Sequence, residues 1–131
     1  MIQKNLIASL LVRDFDEAIQ FYVEKLGFVV AEDFRMGPDD RWLTISVPHN
    51  ENCVFALHVA KGESDQALVG KQGGTFPFLG LTTDDCPGDY QRLKALGVKF
   101  HGEPEVRPYG TGVMLEDLYG NKIFLNQEPT N

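Results

Sequence analysis

Long hydrophobic runs are absent from this chain of 131 residues. No apolar stretch approaches the roughly 20 residues that a membrane-spanning helix requires, and the first residues lack the form of a secretory signal peptide. An excess of basic residues is absent too, since 12 Lys and Arg stand against 19 Asp and Glu, a net charge of −7. Because a nucleic-acid partner would require a basic face, we expect a cytoplasmic protein that binds neither nucleic acid nor membrane.

Cysteine is scarce, and its arrangement predicts neither a disulfide framework nor a Cys-x-x-Cys metal site. Of the two cysteines, Cys53 lies in an apolar run and is predicted to belong to the core. Cys86 precedes Pro87 at a predicted helix start, where the helix dipole lowers a thiol pKa. Cys86 is therefore either a structural residue or a reactive thiol.

The first half of the chain carries the pattern of one strand, one helix and three further strands. Residues 6–12 form an apolar run typical of a buried strand. Asp14 with Glu17 three residues later predicts an N-cap and a capping box. Apolar residues then recur at helical spacing up to Leu26, and Gly27 ends the helix. The strands that follow are predicted over residues 28–35, 42–47 and 53–59.

The same pattern begins again after residues 61–74, a polar, glycine-rich connecting loop with room for a helical turn. A strand over residues 76–82 precedes a helix that opens at Asp84-Asp85-Cys86-Pro87 and ends at Gly97. Residues 102–110 contain two prolines, which favours a loop or a broken edge strand. The other strands of this half are predicted over residues 98–101, 112–115 and 123–126.

The two halves repeat each other at a fixed offset, because Asp84 and Gly97 stand 70 residues after Asp14 and Gly27. Such a repeat indicates an internal duplication of a βαβββ unit. We expect an α+β fold in which two βαβββ modules form paired, curved, mixed sheets around a shared cavity. The prediction is a single domain over residues 1–131, with module 1 at about 1–60, a linker at 61–75 and module 2 at about 76–131.

Residues 116–127 predict a hairpin in which Asp117 ends one strand and Gly120-Asn121 supplies the turn. This segment resembles the Asp-Pro-x-Gly-Asn hairpin of the vicinal oxygen chelate superfamily, which includes glyoxalase I, bleomycin resistance and extradiol dioxygenase proteins. Leu118 and Tyr119 stand where that family usually has Pro and a variable residue. The resemblance extends over nearly the whole chain, through residues 11–22, Leu26-Gly27-Phe28 and residues 90–100.

Metal-dependent members of that superfamily carry His, Glu or Gln at four strand positions, where they bind Zn, Ni, Mn or Fe(II). By resemblance these positions fall on Ile7, on Phe78 (or Phe76, if the strand slips by two), on Phe124, and on either Leu57 or His58. Ile and Phe have no donor atom, and one imidazole does not make a metal site. The resemblance therefore predicts a member without a cofactor, and a divalent metal only if these positions are misaligned.

Aromatic side chains would turn such a cavity into an apolar box with few polar anchors. Arg107 would pair with an anionic group and Tyr109 would stack on a ring, unless residues 107–110 are an ordinary surface turn. His58 is a core residue, a hydrogen-bonding group for a ligand, or a general base. The predicted ligand-binding residues are Trp42, His58, Phe78, Arg107, Tyr109, Met114 and Phe124.

Three functional hypotheses follow from the resemblance. The first is a homodimeric, metal-independent protein that binds an apolar or aromatic small molecule, in a resistance or sequestration role. The second is an enzyme, either a lyase or dioxygenase relative with a non-standard metal site using His58, or a metal-free catalyst using His58 with Tyr109 or Glu116. The third is a domain whose cavity is filled by its own side chains.

Overall fold

A computed structural model of the chain describes residues 1–2, 6–38 and 40–130. The chain divides into two compact units, Met1–Val69 and Gly70–Asn131. Within the described ranges, no helix is both long enough and apolar enough to cross a bilayer. The prediction that both modules make one domain stays a prediction, and each unit is described by itself.

The first unit is a mixed four-stranded sheet with its strands in the order β1-β4-β3-β2. Strand β1 is parallel to β4, and the other pairs are antiparallel. Helix α1 continues directly into a π-helical segment, so the two form one rod between β1 and β2. The elements are β1 Leu6–Val12, α1 Phe15–Ile19, the π-helical segment Gln20–Lys25, β2 Val29–Gly37, β3 Asp40–Ser46, β4 Cys53–Val59 and α2 Gly62–Leu68.

The second unit repeats this arrangement with its strands in the order β5-β8-β7-β6. Strand β5 is parallel to β8, and the other pairs are antiparallel. Two mixed four-stranded sheets, each built from a βαβββ unit, confirm the predicted α+β fold class. The elements are β5 Leu79–Thr82, α3 Cys86–Ala95, β6 Phe100–Arg107, β7 Gly110–Glu116 and β8 Lys122–Gln127.

The first helix begins as its sequence predicts. The Asp14 carboxylate accepts a hydrogen bond from the backbone N–H of Glu17 at 2.9 Å and so satisfies one free donor of the first turn. Gly27 ends the rod at φ 89°, a left-handed conformation that costs glycine little. Between Asp14 and Gly27, the buried side chains of the rod are Ala18, Phe21 and Tyr22.

The cap of α3 lies one residue later than the repeat predicts, at Asp85 rather than Asp84. The Asp85 carboxylate accepts from the backbone N–H of Gly88 at 3.0 Å. Gly27 lies 13 positions after Asp14, but Gly97, which also ends its helix at positive φ, lies only 12 positions after Asp85. The π-helical segment absorbs this extra residue, because it closes a wider turn than an α-helix does.

Two other segments differ from those predicted, and a third settles an open alternative. The strand expected over residues 76–82 begins at Leu79, and most of residues 102–110 belong to β6, which is the broken edge strand rather than the loop. Pro104 is tolerated there because β6 is an edge strand, and the register shifts between His101 and Glu105. The expected loop over residues 61–74 contains helix α2, which belongs to the first unit and has Glu63 and Asp65 in its first turn.

Each sheet buries the face that packs against its helix. In the first unit the centre of this core is Leu10, Leu43 and Leu57, none more than 1% exposed. In the second unit Leu115 and Ile123 are fully buried, and α3 covers that side with Tyr90 and Leu93. Because side chains alternate along a strand, the residues between these core positions are available for a site.

Candidate functional site

The hairpin between β7 and β8 is held by the buried carboxylate of Asp117. Its Oδ1 accepts from the backbone N–H groups of Tyr119 and Asn121, both at 2.9 Å, and its Oδ2 accepts from Asn121 Nδ2 at 2.9 Å. Gly120 has φ 99°, which suits a glycine. This network sets the register that places Met114 beside Phe124 on neighbouring strands.

In the first unit, three ring-bearing side chains lie on the sheet face opposite the helix; we call Phe34, Trp42 and His58 the aromatic face. The ring centroids of Trp42 and His58 are 6.4 Å apart, and the angle between the ring planes is 66°. Phe34 is the cross-strand partner of Trp42 and is 56% exposed. A surface this apolar and this exposed can accept a flat ligand.

Polar side chains hold the aromatic face in place. Ser9 Oγ lies 3.3 Å from Nε2 of His58, and Trp42 Nε1 donates to Glu32 Oε1 at 3.3 Å. Both bonds connect side chains from neighbouring strands and limit rotation of the two rings. Sequence reasoning missed Ser9 and Glu32, since it had not fixed the register that brings them to His58 and Trp42.

The structure decides which of Leu57 and His58 faces this side of the sheet. Leu57 pairs with Leu43 and is 1% exposed within the helix-side core. His58 points the other way and is exposed, in contact with Trp42. His58 is therefore not a core residue, and its ring is available to a ligand.

The residues at the family's metal positions do not converge in the first unit. The parallel register of β1 and β4 pairs Ile7 with Val54, whereas His58 pairs with Leu11. Four residues of strand separate the two levels, about 13 Å. In the described ranges, no three His, Cys, Asp or Glu side chains cluster to hold a metal ion, so the residues present do not fit the family's metal centre.

The second unit brings together three of the predicted ligand-binding residues. The ring centroids of Tyr109 and Phe124 are 6.2 Å apart, and the angle between the ring planes is 60°. Met114 is the cross-strand partner of Phe124. Gly112 makes this possible, because a Cβ there would lie 2.5 Å from Cζ of Phe124. We call Tyr109, Met114 and Phe124 the Phe124 cluster.

Phe78 and Arg107 are placed differently from that cluster. Phe78 lies in the turn before β5, where its backbone N–H donates to the carbonyl of Lys122 at 3.0 Å. Arg107 ends the exposed strand β6 and forms an ion pair with Glu105. Its guanidinium is thus already paired within its own strand.

A histidine–carboxylate pair in the second unit was not predicted. His101 Nε2 lies 2.6 Å from Glu116 Oε2, and Lys99 Nζ lies 3.4 Å from the same oxygen. The metal-free enzyme hypothesis combines His58 with Tyr109 or Glu116 and does not involve His101. The pairing of β6 with β7 determines the partners of Glu116. A bulge shifts the register of this pair, so the register could not be predicted from the sequence.

A cleft of about 560 Å³ lies in the first unit, where β4 ends and the β2–β3 hairpin turns. Its apolar lining includes Phe15 and Leu57. The remaining lining is mostly charged or near the turn. It comprises Arg35, Gly37, Pro38, Asp40, Arg41, His58, Val59 and Lys61.

Arg41 is the most firmly held cation of this cleft. Its Nε and Nη2 donate to the two carboxylate oxygens of Asp33, both at 2.9 Å, and its guanidinium lies 5.1 Å from the ring centre of Phe15. The hydrogen bonds from Arg41 lower the pKa of Asp33, and the same bonds raise the pKa of Arg41. Both side chains therefore remain charged at neutral pH.

The thiol of Cys86 is not activated. Cys86 is fully buried, and its burial, with the nearby charges of Asp89 and Asp85, raises the thiol pKa above the ordinary 9.0. The backbone N–H of Cys86 donates to Gln127 Oε1 at 2.9 Å. The reactive-thiol alternative is thus wrong, because desolvation outweighs the helix dipole here.

The chain matches a known family over nearly its whole length. Residues 5–125 match the sequence model of the Glyoxalase/Bleomycin resistance protein/Dioxygenase superfamily. An uncharacterized protein of Shewanella frigidimarina (strain NCIMB 400) is 40% identical over 122 residues, which cover 92% of this chain and 90% of that protein.

Solved structures show the same fold. UcmS2 is 32% identical, with a TM-score of 0.81 over 96% of this chain and 98% of that chain. TnmS3, an antibiotic binding protein from Streptomyces sp. CB03234, is 32% identical, with a TM-score of 0.75 over 98% of each chain. Such neighbours fit a small-molecule binding role. The chain belongs to the Glyoxalase/Bleomycin resistance protein/Dioxygenase superfamily.

Proposed function

We propose that this protein binds an apolar or aromatic small molecule without a metal ion, in a resistance or sequestration role. The observation that carries the proposal is the aromatic face, where Phe34 is 56% exposed beside Trp42 and His58. Leaving so much aromatic surface in water is unfavourable unless a ligand or a partner covers it.

The Phe124 cluster supports the same proposal from the second unit. Phe124 stands at a position where metal-dependent relatives are expected to carry a carboxylate, and it packs against Tyr109 over Gly112. Stacking of aromatic rings contributes about 0.5–1.5 kcal/mol beyond the burial of apolar area. A ligand with a planar ring system therefore suits this cluster better than a small polar substrate.

Polar anchors for such a ligand are few but present. The buried oxygens Thr44 Oγ1, Ser46 Oγ and Asn126 Oδ1 have no hydrogen-bond partner within the described ranges. Thr44 and Ser46 alternate with core residues on β3 and share the side of Trp42. Ligand hydrogen bonds to such oxygens would compensate their burial.

We also propose that the functional form is a homodimer. Strand β2 is an edge strand, and all nine of its residues are exposed, including the apolar Phe34 and Met36. A long apolar edge strand is a surface that proteins usually cover. Light scattering on the purified protein tests this, and a monomer at micromolar concentration would contradict it.

Tryptophan fluorescence tests the binding proposal directly, because Trp42 is the single tryptophan of the chain. Planar aromatic compounds that bind the aromatic face should quench its emission saturably. Phe34→Ala should weaken that quenching, whereas Val106→Ala, at an 83% exposed position of the other unit, should leave it unchanged. Equal effects of both variants on every quenching compound would exclude the aromatic face as the site.

Metal independence needs its own measurement. Elemental analysis of tag-free protein, with melting curves in added Zn, Ni, Mn or Fe(II), should give no stoichiometric metal and no rise in melting temperature. Near-stoichiometric metal would instead favour the lyase or dioxygenase alternative using His58. A His58→Ala variant that lost the metal would then identify the ligand.

A further inference from the structure

The cleft of the first unit is not explained by the aromatic face. Arg35 directly follows Phe34 in the sequence, and Arg41 directly precedes Trp42. Because side chains alternate along a strand, both arginines point to the side of the sheet opposite the aromatic face. Arg41 lies over Phe15 of α1 on that side. The cleft is therefore a separate feature, with His58 at the strand end where the two surfaces meet.

Three cations line this cleft in a protein whose net charge is −7. Among the residues that the structure describes, Asp40 is the one acidic residue in the lining, and Asp33 is bound by Arg41. Within the part of the chain that the structure describes, neither Arg35 nor Lys61 forms an ion pair. Cations thus outnumber carboxylates among the described residues that line the cleft.

Arg35 and Arg41 place two like charges next to each other in the sheet. They are direct cross-strand partners in the antiparallel pair of β2 and β3. Like charges directly opposite each other destabilise a sheet. Asp33 binds Arg41 directly and attracts Arg35 more weakly, since both cations lower its pKa.

Arg41 is also positioned in advance. The two hydrogen bonds to Asp33 and the stacking on Phe15 fix its guanidinium, so little side-chain entropy remains to be lost on binding. A guanidinium has five N–H donors, and Asp33 takes two of them. Among the described residues Arg41 makes no other side-chain hydrogen bond, so its remaining donors can bind a second acceptor.

We propose that this cleft binds the oxyanion of a small molecule, a carboxylate or a phosphate monoester, with Arg35, Arg41 and Lys61 as its donors. The apolar part of that molecule packs on Phe15. A volume of about 560 Å³ suits a ligand of this kind, since small-molecule pockets span roughly 300–1,000 Å³.

Calorimetric titration with phenyl phosphate, benzoate and inorganic phosphate tests the proposal and distinguishes the two anions. The test variant is Arg35→Gln/Lys61→Gln. Its matched control is Lys71→Gln/Arg92→Gln, which removes the same charge from the second unit. Losing charge-assisted hydrogen bonds should weaken the better aryl anion at least about tenfold in the test variant, while the control changes it less than about twofold.

Two results would overturn the proposal. One is equal weakening in both double variants, which would indicate screening by net charge alone. The other is no binding of either aryl anion to the native protein, or binding no tighter than that of inorganic phosphate. Phe34→Ala should leave the anion affinity unchanged, so failure at the aromatic face and failure at the cleft are distinguishable.

A stability measurement gives a second check that does not need a ligand. If Arg35 serves to bind an anion, its place opposite the like charge of Arg41 should not stabilise the fold. Arg35→Gln should then raise the melting temperature of the ligand-free protein or leave it unchanged. A clear fall would mean that Arg35 has a structural role and would contradict the proposal.

Discussion

Asp117 and Asn121 are joined by three hydrogen bonds across the β7–β8 turn. Asp117 Oδ1 and Oδ2 accept from the backbone N–H and the Nδ2 of Asn121, and the backbone N–H of Asp117 donates to the carbonyl of Asn121 at 2.8 Å. Both residues are buried, 6% and 2% exposed. The family's Gly-Asn turn is thus a structural device that fixes the register of β7 and β8.

Replacing Asp117 with Ala should lower the free energy of unfolding by about 2–4 kcal/mol, because buried N–H groups lose a charged acceptor. Urea denaturation measures this cost. Asp84→Ala, at an exposed position of the same unit, is the control and should change stability by less than about 0.5 kcal/mol. Similar midpoints for both variants would contradict a structural role for the network.

The position of the α3 cap can be tested with neighbouring residues. Asp85→Ala should cost about 1 kcal/mol, since the Gly88 N–H loses its acceptor, whereas Asp84→Ala should cost little. Thermal unfolding of the two variants compares them directly. A larger loss at Asp84 would restore the cap that the 70-residue repeat predicts.

The Cys86 thiol should be inert in the folded protein. Burial raises its pKa, so little thiolate is present at neutral pH. In a Cys53→Ser variant, a thiol reagent should react at a rate set by unfolding and should react fully in denaturant. Rapid labelling without denaturant would show that Cys86 is reached in the native state.

The Asp33–Arg41 pair predicts a contribution to stability that depends on pH. The pKa of Asp33 is lowered from its ordinary 3.8, so the contribution is fully present above that value and is lost as pH falls through the lowered pKa. Asp33→Asn should therefore be less stable than the native protein at neutral pH and equal to it in acid. A difference that persists in acid would assign the effect to packing.

Gly112 and Gly80 provide a matched pair beside Phe124. An Ala side chain at Gly112 would lie 2.5 Å from the Phe124 ring and should cost about 1–3 kcal/mol, with the ring displaced. At Gly80, the parallel partner of Phe124, the added methyl group meets nothing within 4 Å and should be tolerated. Denaturation curves of both variants test whether Gly112 makes room for the Phe124 cluster.

Much of the fold follows from local patterns. Asp14, Gly27 and Gly97 act where their chemistry predicts, since capping and positive φ depend on a few neighbouring atoms. The repeat itself misplaced the α3 cap, because a π-helical insertion changes the residue count without changing the pattern of apolar residues. The two prolines left residues 102–110 open between a loop and a broken edge strand, and β6 is the edge strand, because an edge position tolerates Pro104.

The sequence by itself determined the βαβββ duplication and the hairpin at Asp117, since both depend on residue type and spacing. Only the tertiary structure decided that His58 rather than Leu57 meets Trp42, that Glu116 binds His101, and that Arg35 lies opposite Arg41. Strand register decides these contacts, and a shift of one residue would turn each side chain to the other face.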